Sequence, residues 1–238
     1  MPFTLSHPAI ILPFFKNKKW SITGLVIGSM SPDFEFFFRM RTQSEISHTF
    51  LGLLLIDLPL AIIVIVVFHG IIKNTLIANS PDFVQNRLVE LKNSNWFDYF
   101  KKNSGIVLAS FFLGAASHFF LDSLTHWDGY IVQRVSFLND IIFSIPLYEW
   151  AQYISSIIGL IAIFLYFYRL PKDVNTGNTV SVVFWITTLF FALIIILLRF
   201  TIVEGWNRIA DIIIGVISSV VIAITFTSLV FIKLKKAT

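Results

Sequence analysis

The chain contains no cysteine and little charge: 13% of its 238 residues are Asp, Glu, Lys or Arg, and only 14 are acidic. The first absence removes disulfides, thiolate metal ligands, iron–sulfur ligation and a cysteine nucleophile together. Any metal site must therefore be built from imidazole and carboxylate. The second absence removes an ordinary soluble surface, because a globular domain carries about 25% charged residues. Disorder, collagen and coiled coil are excluded by the same figures. The 18 basic residues leave a net charge of +4 and form no basic stripe, so no nucleic-acid partner is expected and the charges are better read as markers of membrane topology. What is abundant is apolar: 56% of the residues are hydrophobic and 26 are Phe. The expected organisation is a single integral-membrane domain over residues 1–238, with most of its outer surface in lipid.

A helix needs about 20 mostly apolar residues to cross the hydrocarbon, since lipid offers its backbone no hydrogen-bond partners. Five stretches qualify: 48–72, 104–126, 147–168, 180–199 and 209–232. The expected fold is all-α, a polytopic membrane helix bundle in which a five-span bundle (48–232) follows a short N-terminal helical or re-entrant segment (1–47). In that segment Pro8, Pro13, Lys16, Lys18 and Lys19 interrupt the apolar runs. Residues 20–30 read as a short helix ending at Ser31-Pro32, because the residue before proline is pushed out of the helical region. This piece is either re-entrant or a shortened sixth span. Between the first two spans, Asn79-Ser80-Pro81-Asp82 predicts the start of a helix from Phe83 to Lys92, either amphipathic on the membrane surface or part of a solvated connector.

Lys and Arg gather in cytoplasmic loops. If residues 20–38 cross, the side holding loop 73–103 and the C-terminal tail carries thirteen basic residues against five; if they do not, the split is ten to eight. Either count makes the C-terminus cytoplasmic.

Ionisable side chains inside a span are costly, and by default they mark a pathway, a pair or a site. His118, Asp122 and His126 recur at i, i+4 and i+8, which spreads them over roughly 80° of one helix face. His48 opens the first span on the same membrane side, and Asp33 and Glu35 precede it by a short loop. His7 stands before Pro8, a residue suited to a first helical position, which would put the imidazole at a helix N-terminus. Three His and two Asp from three separate segments are enough for one divalent ion or two, and imidazole and carboxylate are the normal ligands of zinc when thiolates are absent. The same residues also suit a metal-free network of His–Asp hydrogen bonds. Asp33 or Glu35 is the nearest candidate for a catalytic proton acceptor. Glu149 and Gln152 open the third span and could orient a ligand imidazole or anchor the helix at the interface. His69 reads as a packing residue, Glu204 and Arg208 as an i, i+4 ion pair, and Asp211 as a structural partner of Arg199 or Arg208. Asp57, beside Pro59, has no evident role in the sequence.

The opening Met-Pro-Phe-Thr-Leu-Ser-His7-Pro8-Ala, the segment Gly28-Ser-Met-Ser-Pro32-Asp33, His48, and Gly114-Ala-Ala-Ser-His118-Phe-Phe-Leu-Asp122-Ser-Leu-Thr125-His126 occur in this order. Together they resemble the uncharacterised bacterial integral-membrane family carrying domain of unknown function number 4184, over essentially the whole chain. More loosely, the Pro-Asp segment, the early His before a span and the His-x3-Asp pair are similar to membrane-bound metal-dependent hydrolases of bacterial inner membranes. Those are distantly related to the zinc-dependent phospholipase C and single-strand nuclease superfamily. That resemblance implies metal ligation by His7, Asp33, His48, His118 and Asp122, with His126 as an addition, and a place in the bacterial inner (cytoplasmic) membrane. The superfamily's N-terminal-residue ligand and late Glu have no counterpart here, so a three-metal site is not carried over.

The leading expectation is a metal-dependent hydrolase acting at the membrane on a phosphoester or another small or lipid-linked substrate, with membrane lipid as its surroundings. The alternatives are a metal-ion or proton transporter using the same residues, and a non-catalytic membrane scaffold. The absence of an internal repeat and the position of the cluster toward one end of its span place transport second.

Overall fold

The computed structural model describes residues 3–43, 46–173, 180–202 and 209–237. In chain order its helices are α1 (Ile22–Met30), α2 (Phe34–Arg39), α3 (Phe50–Ala78), α4 (Asp82–Gln85), α5 (Val89–Asn93), α6 (Trp96–Thr125), α7 (Leu147–Tyr168), α8 (Val182–Ile202) and α9 (Ile209–Ala237). Two 3₁₀ turns, Thr4–Ala9 and Leu12–Lys16, precede α1, and a two-residue-strand hairpin, β1 (Ile141–Ile142) with β2 (Ile145–Pro146), precedes α7. Among the described residues, five helices are long and apolar enough to cross a membrane, which identifies a multi-pass, all-α membrane chain. The nine-residue α1 is about 14 Å long at 1.5 Å per residue, less than half the hydrocarbon thickness.

The contacts divide the chain into two compact units, one formed by Met1–Asp33 with Tyr99–Arg169 and the other by Phe34–Asp98 with Leu170–Thr238. In the first unit α1 starts where Ser21 caps it, its hydroxyl accepting from the Gly24 amide at 3.2 Å. The helix lies almost in backbone contact with α6. A Cβ on Gly28 would fall 2.0 Å from the Phe111 carbonyl oxygen, and one on Gly114 would fall 2.3 Å from that of Leu25. Only glycine permits this approach, the small-residue packing by which membrane helices associate. The 3₁₀ turn at the N-terminus is pinned to α7, where the Phe3 amide donates to Ser156 Oγ at 2.9 Å and Gly159 leaves room for Ser6.

The helix boundaries follow the sequence expectation in part. The helix expected over 20–30 is α1, which ends at Ser31-Pro32 as the sequence predicts; a 3₁₀ turn, Ser31–Asp33, then leads directly into α2. Proline is tolerated at such a junction because its missing amide would have been unpaired there. The helix carrying His118 is preceded by helical residues from Trp96, and Asn103 breaks the two apart with φ −132° and ψ 28°, so the expected start at 104 stands. The Asn103 side-chain amide takes the Tyr99 carbonyl at 3.0 Å, substituting for a backbone donor. Pro8 lies inside the first 3₁₀ turn instead of opening a helix, so His7 sits in that turn's last residues.

In the second unit α3 runs on to Ala78, past the expected end at 72, because the Lys73 ammonium is satisfied within protein by the Ser94 carbonyl (2.5 Å) and hydroxyl (3.3 Å). Two π-helical turns, Leu53–Asp57 and Phe68–Ile72, interrupt it. The first precedes Pro59, whose ring would clash with a regular helical carbonyl. The helix expected over 83–92 is two short pieces, α4 and α5. The Asn86 carbonyl accepts from the Asp173 amide at 2.9 Å, which withdraws it from the helical ladder. His69 stacks on Trp96 with ring centroids 4.8 Å apart, a packing contact. Arg199 donates twice to the Met40 carbonyl, and Asp211 accepts from the Thr42 amide and hydroxyl, so both hold the 40–42 turn. Glu204 and Arg208 lie outside the described residues.

Candidate metal centre

His118 and Asp122 share one face of α6 in its last two turns, and the i, i+4 spacing brings His118 Nε2 to 3.1 Å from Asp122 Oδ2. The glycine contact between α1 and α6 supplies the next element. It carries the Ser29 carbonyl to 2.9 Å from His118 Nδ1. A carbonyl oxygen only accepts, so Nδ1 bears a proton and Nε2 is the inward-facing nitrogen. It faces Asp122 and, at 3.7 Å, Asp33 Oδ1. Asp33 reaches this position because the 3₁₀ turn after α1 folds it back, and its Oδ2 accepts from Thr4 Oγ1 at 2.5 Å.

His7 completes the group from the N-terminal turn. Its ring stacks on that of His118 with centroids 3.9 Å apart and planes 15° from parallel. His7 Nε2 lies 3.8 Å from Asp122 Oδ1, and neither ring nitrogen of this fully buried residue makes a hydrogen bond. Burial pushes the His7 imidazole down to about 4, with the neighbouring His118 acting in the same direction, so the ring is neutral at pH 7. Ligand atoms of His7, His118 and Asp122 all lie within 4.8 Å of one another.

These residues fit a divalent cation. Two carboxylates and two imidazoles are gathered in one buried place, and buried carboxylates are costly unless positive charge offsets them. A carbonyl that fixes the outer nitrogen of a ligand histidine is the usual support of a metal-binding imidazole. Two His and a carboxylate, with a second carboxylate adjacent, are donors that could hold a metal ion.

The remaining candidates divide between the two units. His126 follows the last turn of α6 and directs Nδ1 at Asp122, 3.2 Å from its carbonyl and 3.5 Å from Oδ1. Burial lowers its affinity for a proton while Asp122 opposes that shift. His48 belongs to the second unit, where it is exposed and its ring lies 5.6 Å from that of Phe36. Glu35 is also in the second unit. One of its oxygens takes the Arg39 guanidinium at 2.9 Å, and the other takes the Ser47 amide and hydroxyl at 3.2 and 2.8 Å. Glu149 lies half-buried in the first turn of α7, next to Tyr148. Gln152 lends its carbonyl to the Ser156 hydroxyl, the same hydroxyl that holds the Phe3 amide, and so supports the turn carrying His7.

Thr4 and Ser29 are part of the centre but were absent from the sequence reading. Ser29 acts through its backbone, which no residue-type pattern reveals. The pair Gly24-x3-Gly28 could have announced the close helix contact that delivers it.

A family model, Domain of unknown function (DUF4184), matches residues 1–231, a span that includes every residue of this centre. The chain belongs to the DUF4184 family. No curated protein and no solved structure matches it. For this DUF4184 member the centre itself is therefore the source of any functional argument.

Proposed function

We propose that the protein is a membrane-bound metal-dependent hydrolase acting on a phosphoester or another lipid-associated substrate, with a divalent ion, zinc by its donor chemistry, held by His7, His118 and Asp122. The observation that carries this reading is the orientation of His118. With Nδ1 donating to Ser29, Nε2 is turned toward two carboxylates, beside a second buried imidazole that makes no hydrogen bond among the described residues. A divalent ion bound there supplies Lewis acidity toward a phosphoryl or carbonyl oxygen. Asp33 is the proton acceptor of the reaction: Thr4 anchors one carboxylate oxygen while the other flanks the ligand nitrogen. Glu35 is engaged by Arg39 and Ser47 and takes no part. His126 holds the Asp122 carboxylate in place.

The same proposal puts the protein in the bacterial inner membrane, supported by the resemblance drawn from the sequence. It puts the C-terminus in the cytoplasm, supported by the basic tail Lys233, Lys235 and Lys236, which contains no acid.

Elemental analysis of detergent-solubilised protein tests the reading. Near-stoichiometric zinc in the wild type, lost in His118→Ala and Asp122→Asn, is the expected result, together with metal-dependent cleavage of bis(p-nitrophenyl) phosphate. A stable wild type that neither contains nor takes up a divalent metal would show that a proton shared between His118 and the carboxylates occupies the centre instead. Metal flux into proteoliposomes that depends on Asp122, without hydrolysis, would reassign the centre to transport.

A further inference from the structure

The second unit contains a cavity of about 480 Å³, lined by polar and apolar groups in similar measure and the size of a small ligand or a lipid headgroup. Asn74, Thr75 and Asn79 line it from the end of α3, Lys92 and Asn93 from α5, and Phe231 from the C-terminal part of α9. No acidic side chain lines it. Lys92 is half-buried and, among the described residues, is in no ion pair. Next to this wall the buried Lys73 ammonium is tied to Ser94, the neighbours in sequence of Asn74 and Asn93. The cavity thus combines amide and hydroxyl donors with an uncompensated cation, the chemistry that recognises a phosphate.

We propose that this cavity binds the phosphate of an anionic phospholipid headgroup. Inorganic phosphate offers the same oxygens, but two observations favour the lipid. The Phe231 ring, braced edge-on by Phe184 at 5.3 Å, gives the cavity an apolar wall suited to the start of an acyl chain. The cavity also lies where spans end. α3 stops at Ala78, and Trp185, near the start of α8, donates its indole N–H to the Asn79 carbonyl at 2.8 Å. Tryptophan in such a place marks headgroup depth. Basic pockets between membrane helices on the lysine-rich side are suited to anionic headgroups, which are enriched in the cytoplasmic leaflet.

The test compares lipids on the delipidated full-length protein. Native mass spectrometry counts retained phosphatidylglycerol and phosphatidylcholine at equal exposure, and thermal unfolding is followed with each lipid and with inorganic phosphate. The wild type is expected to prefer phosphatidylglycerol about fivefold, the effect of roughly one lysine at an anionic surface. Lys92→Gln should bring the ratio close to one, and Lys92→Arg should keep it; metal content at the His/Asp centre should change in neither. Equal retention of the two lipids by the wild type, or an undiminished preference in Lys92→Gln, overturns the proposal. Stabilisation by inorganic phosphate equal to that by phosphatidylglycerol overturns the lipid as the source. Should Lys92→Gln fail to fold, the wild-type lipid ratio and the Lys92→Arg comparison still decide.

Discussion

At the scale of single residues, the centre depends on hydrogen bonds that choose which atom of a side chain is offered. Ser29 determines which nitrogen of His118 faces inward, and Thr4 determines how Asp33 is turned. Partners of this kind commonly account for 10–100-fold in metal affinity. Thr4→Val, which keeps the volume and removes the donor, is therefore expected to weaken metal binding about 10–100-fold while leaving the fold intact. Chelator competition measures it, and unchanged affinity would show that Asp33 is positioned without Thr4. Sequence reading singles out His7, Asp33, His48, His118, Asp122 and His126 because each is a costly residue in an apolar chain, and His7, Asp33, His118 and Asp122 lie together in the first unit. It could not separate Asp33 from Glu35, two positions apart, since both are acids near the same proline. Their partners differ: Thr4 and His118 for one, Arg39 and Ser47 for the other.

At the scale of elements, a nine-residue helix too short to span a membrane is held by glycines facing backbone. An added Cβ at Gly28 has nowhere to go, 2.0 Å from the Phe111 carbonyl oxygen, whereas one at Gly105 of the same unit meets nothing within 4 Å. Gly28→Ala is expected to lower stability by about 1–3 kcal/mol through overpacking and to release the metal, because α1 carries both Ser29 and the turn leading to Asp33. Gly105→Ala should leave unfolding temperature and metal content as they are. Equal behaviour of the two variants would detach the helix contact from the centre. The break at Asn103 and the division of 82–93 into two helices escaped the sequence for a related reason. Each depends on a carbonyl diverted from the ladder, in the second case by an amide 87 residues away, from Asp173 to Asn86.

At the scale of the whole molecule, the five membrane-length helices among the described residues predict an odd number of crossings. A chain without cysteine is a clean background for testing this. Single substitutions Lys19→Cys and Lys233→Cys, both at exposed positions, are expected to react with an impermeant thiol reagent from opposite faces of the membrane. Reaction from one common face would require an even number of crossings. The sequence by itself determined the class of molecule: helical, multi-pass, free of thiol chemistry, with its few intramembrane imidazoles and carboxylates as the candidates for a metal site. These properties follow from local composition and from the helical period, which neighbouring residues decide among themselves. Only tertiary structure decided which of those groups share a centre and which atoms they present. A proton on His118 is assigned by a carbonyl 89 residues earlier in the chain, and contacts over such separations exist only after the helices have packed.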